Sequence, residues 1–426
     1  MSSSDATKPY AIGQAFTGPL VSMSNIKGHL RLLRAFAQLK YKLDSLRDLE
    51  VTSQFPRYTP RNADKRWEWF VGLAVERFGL WCQWVQDRKI RDVDDLSKHY
   101  LPPLDVFMVW HAYMLNPAWY QEDIKRSSSL KFLVDLGLIF QSTFCRKSEW
   151  TKATKRPFDP IESAKAHTTI KIKCPGCRQD ARVSLMDGMD TGYLQGNFSA
   201  RCTASETCPR ITKSTLGARK LARDISMNEP CEDLKEYQTY LAGTLYTAQD
   251  TYNYKRARMI KEKILKSPIF YRPDETQHHL PLLKKRSSQT VLQAQPSQEE
   301  WESMILKRVD FKKDAMQRGM NKHVTGKLLS RVMSAYTDGK PWSLDLVGAV
   351  LRQGSFVKKM DDLEWTQGSF IDVSGEVALE YAVTRYHAND QVKPLTLSSS
   401  FDKTRQAWEV RTSPLVSLPD NAEQSS

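Results

Sequence analysis

The chain has 426 residues, 40% of them hydrophobic, which is enough for two or three domains with more than one core. Its formal net charge of +14 favours nucleic acid, an acidic partner or a nuclear address, although excess Lys and Arg are more often solvated surface. Seven cysteines do not fit a secreted disulfide framework, and neither a signal peptide nor a membrane span is predicted. The expected location is therefore a reducing compartment, the cytoplasm or the nucleus, with no membrane partner.

The N-terminal part of the chain is predicted to be helical. Residues 1–21 are expected to be disordered, and a helix is predicted over 22–50. A second helix is predicted over 64–87, because its apolar side chains recur at steps of three and four. The side chains of this stripe, which we assign to a core, are Trp67, Phe70, Val71, Ala74, Phe78, Trp81 and Val85.

A third helix carries the pair Trp110-His111. It follows two prolines and ends at Asn116-Pro117, where the next helix begins and runs to about Arg126. The apolar stretch 130–140 is either a further helix or a buried strand. Residues 22–167 together are expected to form a helical domain with a Trp-His motif.

His111 has two interpretations. A lone His on an apolar helix is more often a hydrogen-bonded core residue than a ligand or a base, and Asp105, six residues earlier, is best explained as the helix N-cap. The alternative is an enzyme in which His111 and Asp105 line a pocket. No nucleophile motif, phosphate loop or prominent pair of carboxylates accompanies them, which disfavours the alternative.

From residue 168 the pattern changes to a small β-rich insert. Residues 169–173 alternate as a strand does and meet a Cys-Pro-Gly-Cys turn, and residues 181–185 are the expected hairpin partner. A second cysteine pair follows, so residues 168–212 are predicted to be a zinc-ribbon-like insert. Tyr193 and Phe198 are assigned to its core, with stacking on bases as the alternative.

The insert contains four cysteines at ligand spacing: Cys174, Cys177, Cys202 and Cys208. Two pairs on a strand-turn scaffold can close one tetrahedral thiolate site, and zinc is its usual occupant. Four protein thiolates leave no open position for water, so such a site is structural and not catalytic. Four buried cysteines without metal are the alternative.

The C-terminal half is predicted to consist of helices and linkers. Residues 213–271 form a helical segment, 272–299 a basic linker, 300–388 a further helical segment and 389–426 a disordered tail. The linker contains Lys284, Lys285 and Arg286, which are candidates for a nuclear import signal.

The segment LPPLDVFMVWHAYMLNPAWYQEDI, residues 101–124, is similar to the glycine-rich domain-containing protein-like family of fungi and plants. Fungal members also resemble this chain in the CPGC turn, the TGYLQGNF stretch, the second cysteine pair and the predicted helix 343–387 that ends VALEYAVTRYH. The resemblance covers roughly residues 25–388. It implies no reaction, because the family has no established one to carry over.

The chain departs from the family pattern in two places. The family continues beyond the last shared helix into a second Trp-His motif, and that motif is missing after His387, so we expect this product to be short at its C-terminus. In the first motif, Tyr113 stands where a second His would complete a two-His pair, which disfavours metal binding there.

These observations predict a mainly α, multi-part helical protein with a small β-rich zinc-binding insert. The function that they favour is a non-enzymatic binding or regulatory protein, acting on gene expression through protein or nucleic-acid contacts. The rival is the enzyme built on His111 and Asp105. A protein partner is expected, and nucleic acid is a further candidate partner.

Overall fold

The computed structural model describes residues 10–12, 15–17, 23–88, 101–127, 129–130, 132–133, 147–226, 240–245, 253–265, 326–364 and 366. Over these residues the protein is mainly α-helical, as predicted, with two antiparallel two-stranded hairpins. None of the helices in these ranges is both long and apolar enough to cross a bilayer.

One hairpin precedes the helices along the chain, and the other lies between the seventh and eighth helices of the described residues. The first hairpin pairs β1 (Tyr10–Ile12) with β2 (Ala15–Thr17), and the second pairs β3 (Thr169–Lys173) with β4 (Asp180–Ser184). The helices are α1 (Met23–Asp44), α2 (Asp48–Gln54), α3 (Ala63–Asp87), α4 (Leu104–Met114), α5 (Pro117–Arg126), α6 (Lys147–Thr154), α7 (Pro160–Ala166), α8 (Lys213–Ser226), α9 (Tyr254–Leu265), α10 (Gly326–Ser334) and α11 (Leu346–Asp362).

Four helices, α1, α3, α4 and α11, pack against one another and form the centre of the structure. The seven side chains assigned to the core stripe of α3 are all buried, which confirms that assignment. Trp81 contacts Trp110 of α4 with ring centroids 5.2 Å apart, and Phe78 contacts Trp342 at 5.4 Å. Burying such side chains stabilises the fold by about 1.5–3 kcal/mol each, so the aromatic stripe holds the four helices together.

The helix α11 joins this core from far along the sequence. It begins after Asp345, whose carboxylate accepts a hydrogen bond from the Gly348 N–H at 3.0 Å. The prediction of one helix over residues 343–387 is wrong within the described part of that range, because α11 runs from Leu346 to Asp362 and Glu364 adopts a left-handed φ of 58°. Residues 367–387 lie outside the described residues. The predicted domain boundaries stay a prediction.

Two further predictions near the N-terminus are corrected. Residues 22–50 form two helices, since the chain leaves α1 after Asp44 and the backbone of Arg47 is extended before α2. Residues 10–12 and 15–17, expected to be disordered, form the β1–β2 hairpin, in which Tyr10 pairs with Thr17.

The β insert lies directly on the helical core. Leu194 packs against Gly72 of α3, where an added Cβ would come within 3.1 Å of the leucine side chain. Lys340 forms an ion pair with Glu76 of α3, and the Lys340 ammonium lies 5.2 Å from the centre of the Tyr193 ring. The insert and the helices therefore share one hydrophobic core.

Candidate metal centre

The first cysteine pair lies in the turn that joins β3 to β4. The Cys174 N–H donates to the Gln179 carbonyl at 2.9 Å, and the Arg178 N–H donates to the Cys174 carbonyl at 3.0 Å. Arg178 adopts a left-handed φ of 63°, which turns the chain back into β4. The turn therefore fixes the backbone on both sides of the pair Cys174 and Cys177.

The second pair is brought against this turn by a single β-bridge. Ala200 and Ile211 exchange both backbone hydrogen bonds at 2.9 Å, which closes the loop that carries Cys202 and Cys208. A Cβ at Gly176 would lie 2.9 Å from the Pro209 side chain and 3.1 Å from the Cys208 sulfur. Only glycine leaves room for the two pairs to approach this closely.

The four predicted ligands, Cys174, Cys177, Cys202 and Cys208, come together in the structure. Their sulfur atoms all lie within 4.8 Å of one another, and the Cys177 and Cys202 sulfurs are 3.5 Å apart. A tetrahedral site with Zn–S bonds of about 2.3 Å places its sulfurs about 3.8 Å apart, whereas a disulfide needs about 2.05 Å. All four cysteines are free thiols in a cluster that can hold a metal ion such as zinc.

The backbone prepares some of these sulfurs to carry negative charge. The Ala204 N–H points at the Cys202 sulfur from 3.4 Å, and this hydrogen bond lowers the pKa of Cys202 to about 7. Burial raises the pKa of Cys174 above its usual value and that of Cys208 to about 12. A metal ion that binds here must therefore displace protons, so its affinity falls as the pH falls.

The cluster is covered on its inner side by α8. Arg219 of that helix donates from its Nη1 to the Cys174 carbonyl at 3.1 Å, and Cys174 has no exposed surface. Four protein sulfurs supply a complete tetrahedral set, and no substrate position remains on an ion that they hold. The donor set and the close approach at Gly176 therefore fit a structural ion.

Tyr193 and Phe198 belong to the core of the insert, as the sequence indicated. Both are buried, and their rings meet edge to face with centroids 5.1 Å apart. The Lys213 ammonium lies 3.4 Å from the centre of the Tyr193 ring. These contacts occupy the aromatic faces on which a base would have to stack.

The Trp-His helix is built into the core of the four-helix group. His111 is 1% exposed and lies between α1 and α11. Its Nδ1 lies 2.5 Å from the Gln353 amide nitrogen, and its Nε2 lies 3.0 Å from the Nε2 of His29. Both ring nitrogens of His111 therefore have polar partners inside the core.

The proposed role of Asp105 as N-cap is wrong. The N-cap position is occupied by Pro103, and Asp105 lies inside the first turn of α4. Its carboxylate is buried and pairs with Arg77 at 2.7 Å and 3.3 Å, although burial still raises its pKa. Six residues rotate a helix by about 240°, so Asp105 and His111 lie on different sides of α4.

The structure also contains a buried ionic cluster that the sequence did not indicate. The Arg126 guanidinium binds Asp123 at 3.0 Å and Asp224 at 2.7 Å, and it donates to the Ser343 hydroxyl at 3.0 Å. Tyr336 donates its hydroxyl to Asp224 at 2.9 Å. We call these five residues the polar seam, because it joins α5 and α8 to the segment before α11.

Other residues named from the sequence have different outcomes. The nuclear import candidates Lys284, Lys285 and Arg286 lie outside the described residues. Cys82 is buried within α3 and is not part of the cysteine cluster. Burial raises the pKa of its thiol well above the usual value.

Comparisons with known proteins add no family to this description. The chain matches no family model, no curated protein and no solved structure. The fold and the cysteine cluster therefore define it only as a mainly helical protein with a small β insert that can hold a metal ion.

Proposed function

We propose that this chain is a non-enzymatic binding and regulatory protein of the nucleus or cytoplasm, acting on gene expression through protein or nucleic-acid contacts. Its β insert is held by one structural zinc ion on Cys174, Cys177, Cys202 and Cys208. Membership of the glycine-rich domain-containing protein-like family is part of the same proposal, and it rests on the Trp-His helix and the CPGC turn.

The observation that carries the proposal is the complete thiolate set. Four sulfurs within 4.8 Å of one another are all supplied by the protein, so the ion would organise the fold of the insert and not activate a substrate. The two groups on which an enzyme was considered have structural partners instead. Asp105 pairs with Arg77, and His111 is hydrogen-bonded to Gln353 inside the core.

The experiment that tests the proposal is affinity purification of the tagged chain with and without nuclease, followed by mass spectrometry and sequencing. The Cys174→Ser variant is purified beside it, with Cys82→Ala as the matched control, since Cys82 lies outside the cluster. We expect a reproducible set of partners that Cys174→Ser loses and Cys82→Ala keeps. Recovery of the same partners by all three forms would show that the insert is not the binding element.

The nuclear address is tested separately on the linker. Lys284, Lys285 and Arg286 supply consecutive positive charges of the kind that import receptors read. Fluorescent fusions with all three changed to Ala should lose nuclear signal relative to the wild type. Equal nuclear signal in both forms would mean that the cluster does not direct import.

A further inference from the structure

The outer face of the β3–β4 hairpin concentrates positive charge. Lys171 and Arg182 are directly opposite each other in the register of the two strands, and both side chains are exposed. Like charges at directly opposite positions destabilise a hairpin, so local folding does not account for this pair. An anion outside the protein would relieve the repulsion between these two charges.

A second basic pair lies beside the first. Arg156 donates from its Nη2 to the carbonyl of Thr169, the first residue of β3, at 3.4 Å, and Lys155 precedes it. Lys155 is exposed and adopts a left-handed φ of 55° at the end of α6. We call Lys155, Arg156, Lys171 and Arg182 the hairpin basic patch.

The carboxylates around this patch are engaged elsewhere. Asp180 pairs with Lys173 at 3.1 Å, and Glu162 pairs with Lys165 at 2.7 Å. Asp159 accepts two backbone hydrogen bonds at the start of α7. Among the described residues no carboxylate forms an ion pair with the four members of the patch, so their charges are available to a partner.

Further basic residues lie on the buried side of the same region. His167 is 3% exposed just before β3, and its pKa is lowered to about 3 by burial and by the charges of Arg156, Arg77 and Lys340. Arg156 itself has a lowered pKa, because of burial and the nearby charges of Arg77 and Arg182. The residues that follow α6 and the β3–β4 hairpin thus bring positive charges close to one another.

We propose that the hairpin basic patch docks on the phosphate backbone of duplex nucleic acid, an inference that rests on the proposed binding function and names its partner. A two-stranded β-ribbon fits the major groove, which is about 12 Å wide. Lys and Arg are the side chains that bind phosphate oxygens without reading the base sequence. Binding at this surface is therefore expected to be electrostatic and independent of sequence.

Other anionic partners fit the surface less well. A single strand would need aromatic faces for stacking, and those of Tyr193 and Phe198 are buried. A protein partner or a membrane would favour exposed apolar anchors, but within residues 168–212, all of which the structure describes, Met189 is the large apolar side chain that is exposed. Duplex phosphate is the partner that needs charge alone.

The test compares two double variants of the full chain that lose the same charge. Lys171→Gln with Arg182→Gln removes two charges from the patch, and Lys65→Gln with Lys358→Gln removes two exposed charges from α3 and α11. Fluorescence anisotropy measures binding to a mixed-sequence DNA duplex of about 20 base pairs at about 50 and about 150 mM KCl. Zinc content and melting temperature establish that each variant is folded.

We expect the patch variant to bind the duplex about tenfold more weakly at the lower salt, with a salt slope reduced by about 1.8, since each lost phosphate contact removes about 0.9. The control should stay within about twofold of the wild type, because its charges belong to α3 and α11 and not to the patch. Equal weakening of both variants would overturn the proposal, because net charge alone would then explain binding. It would also be overturned by patch-variant binding equal to that of the wild type.

Two further arms distinguish the partner. Vesicles of phosphatidylcholine and phosphatidylserine, and polyglutamate, are titrated with the same proteins. A patch-dependent loss that appears with vesicles or polyglutamate but not with the duplex would reject nucleic acid as the partner. If the duplex arm fails while Cys174→Ser still abolishes partner capture, the proposed binding function survives and this inference does not.

Discussion

The metal cluster consists of four thiols, and the polar seam consists of an arginine, two aspartates and two hydroxyl groups. The two groups of residues are brought together over very different sequence distances. The four cysteines span residues 174 to 208 and lie on one hairpin and one loop. The polar seam joins Asp123 and Arg126 to Asp224, Tyr336 and Ser343, so its members are up to about 220 residues apart. The first is specified locally, and the second depends on the whole fold.

The difference has an energetic counterpart. A thiolate cluster without metal gains little, so an ion bound only by the folded insert would supply its stability. The polar seam needs no ion, because Arg126 lies between two carboxylates, and their charges raise its pKa despite its burial. Removing one partner from either region leaves the remaining groups without their partner. The expected loss of stability is larger at the metal cluster than at the polar seam.

The largest effect is expected at the metal cluster. Cys174→Ser removes the fully buried ligand, so zinc bound per chain, measured by mass spectrometry of the purified protein, should fall from about one to near zero. Because metal binding to structural sites contributes about 10–16 kcal/mol in isolated zinc fingers, the insert should also lose protease resistance. The control is Cys82→Ala, which should keep its zinc.

Two results would contradict this expectation. Zinc near zero in the wild-type protein would mean that the four thiols stay protonated and unmetallated. Zinc content unchanged in Cys174→Ser would mean that the ion is bound by other residues. Either outcome would remove the contrast between a metal-dependent insert and a metal-independent body.

The sequence predicted the cluster because metal ligands must follow a short spacing on a turn. The Cys-Pro-Gly-Cys unit fixes two sulfurs by itself, and the strands on either side are recognisable from the alternation of residues 169–173. The stripe on α3 was predictable for the same reason, since a 3.6-residue period is a local property. These features needed no knowledge of distant contacts.

The remaining features depend on contacts that no local pattern contains. Arg126 is one of many charged residues at a helix end, and nothing in its neighbourhood indicates that Asp224 will meet it. Asp105 is a residue type that often caps a helix, but its carboxylate pairs with Arg77, which lies 28 residues earlier on another helix. At Asp105 tertiary pairing outweighed a local capping preference, and at Arg126 no local preference pointed to the partner.

The second largest effect is expected at the polar seam. Arg126→Met removes the cation and leaves Asp123 and Asp224 buried and close to each other, which costs about 3–5 kcal/mol of unfolding free energy. Urea denaturation followed by circular dichroism measures the change. Zinc content should stay near that of the wild type, which would separate this loss from damage to the insert.

A matched control uses the same aspartate. Arg223 also contacts Asp224, at 3.4 Å, but its side chain is 44% exposed. Arg223→Ala should therefore change the unfolding free energy by less than about 0.5 kcal/mol. If both variants lost the same free energy of unfolding, the burial of Arg126 would not make its ion pairs more important than the exposed contact of Arg223.

A smaller effect is expected at His111, the residue on which the structural and catalytic hypotheses differ. His111→Ala removes the hydrogen bond to Gln353 and should cost about 1–3 kcal/mol. His111→Gln keeps a polar group of similar reach, so thermal denaturation and partner capture should both recover in part. A Gln variant that is fully stable but inactive in cells would reject the structural role in favour of catalysis.

The smallest effect is a pH dependence that originates at His167. Its pKa in the folded protein is lowered to about 3, mainly by burial, whereas its ordinary value is 6.5. Between these two pH values the unfolded chain binds a proton at His167 that the folded protein excludes. The free energy of unfolding is therefore unaffected by His167 above pH 6.5 and decreases as the pH falls below that value. Between about pH 7.5 and about pH 5.5 this histidine alone should remove about 1.4 kcal/mol.

The measurement is urea unfolding of the wild type and His167→Gln at both pH values. Glutamine does not titrate, so the variant should lose about 1.4 kcal/mol less than the wild type over the same interval. Zinc content is followed in parallel, because acid also protonates the thiolates and would lower stability in both proteins. Identical pH slopes at constant zinc content would show that His167 accepts a proton in the folded state, and the basic surroundings of Arg156, Arg77 and Lys340 would then not control it.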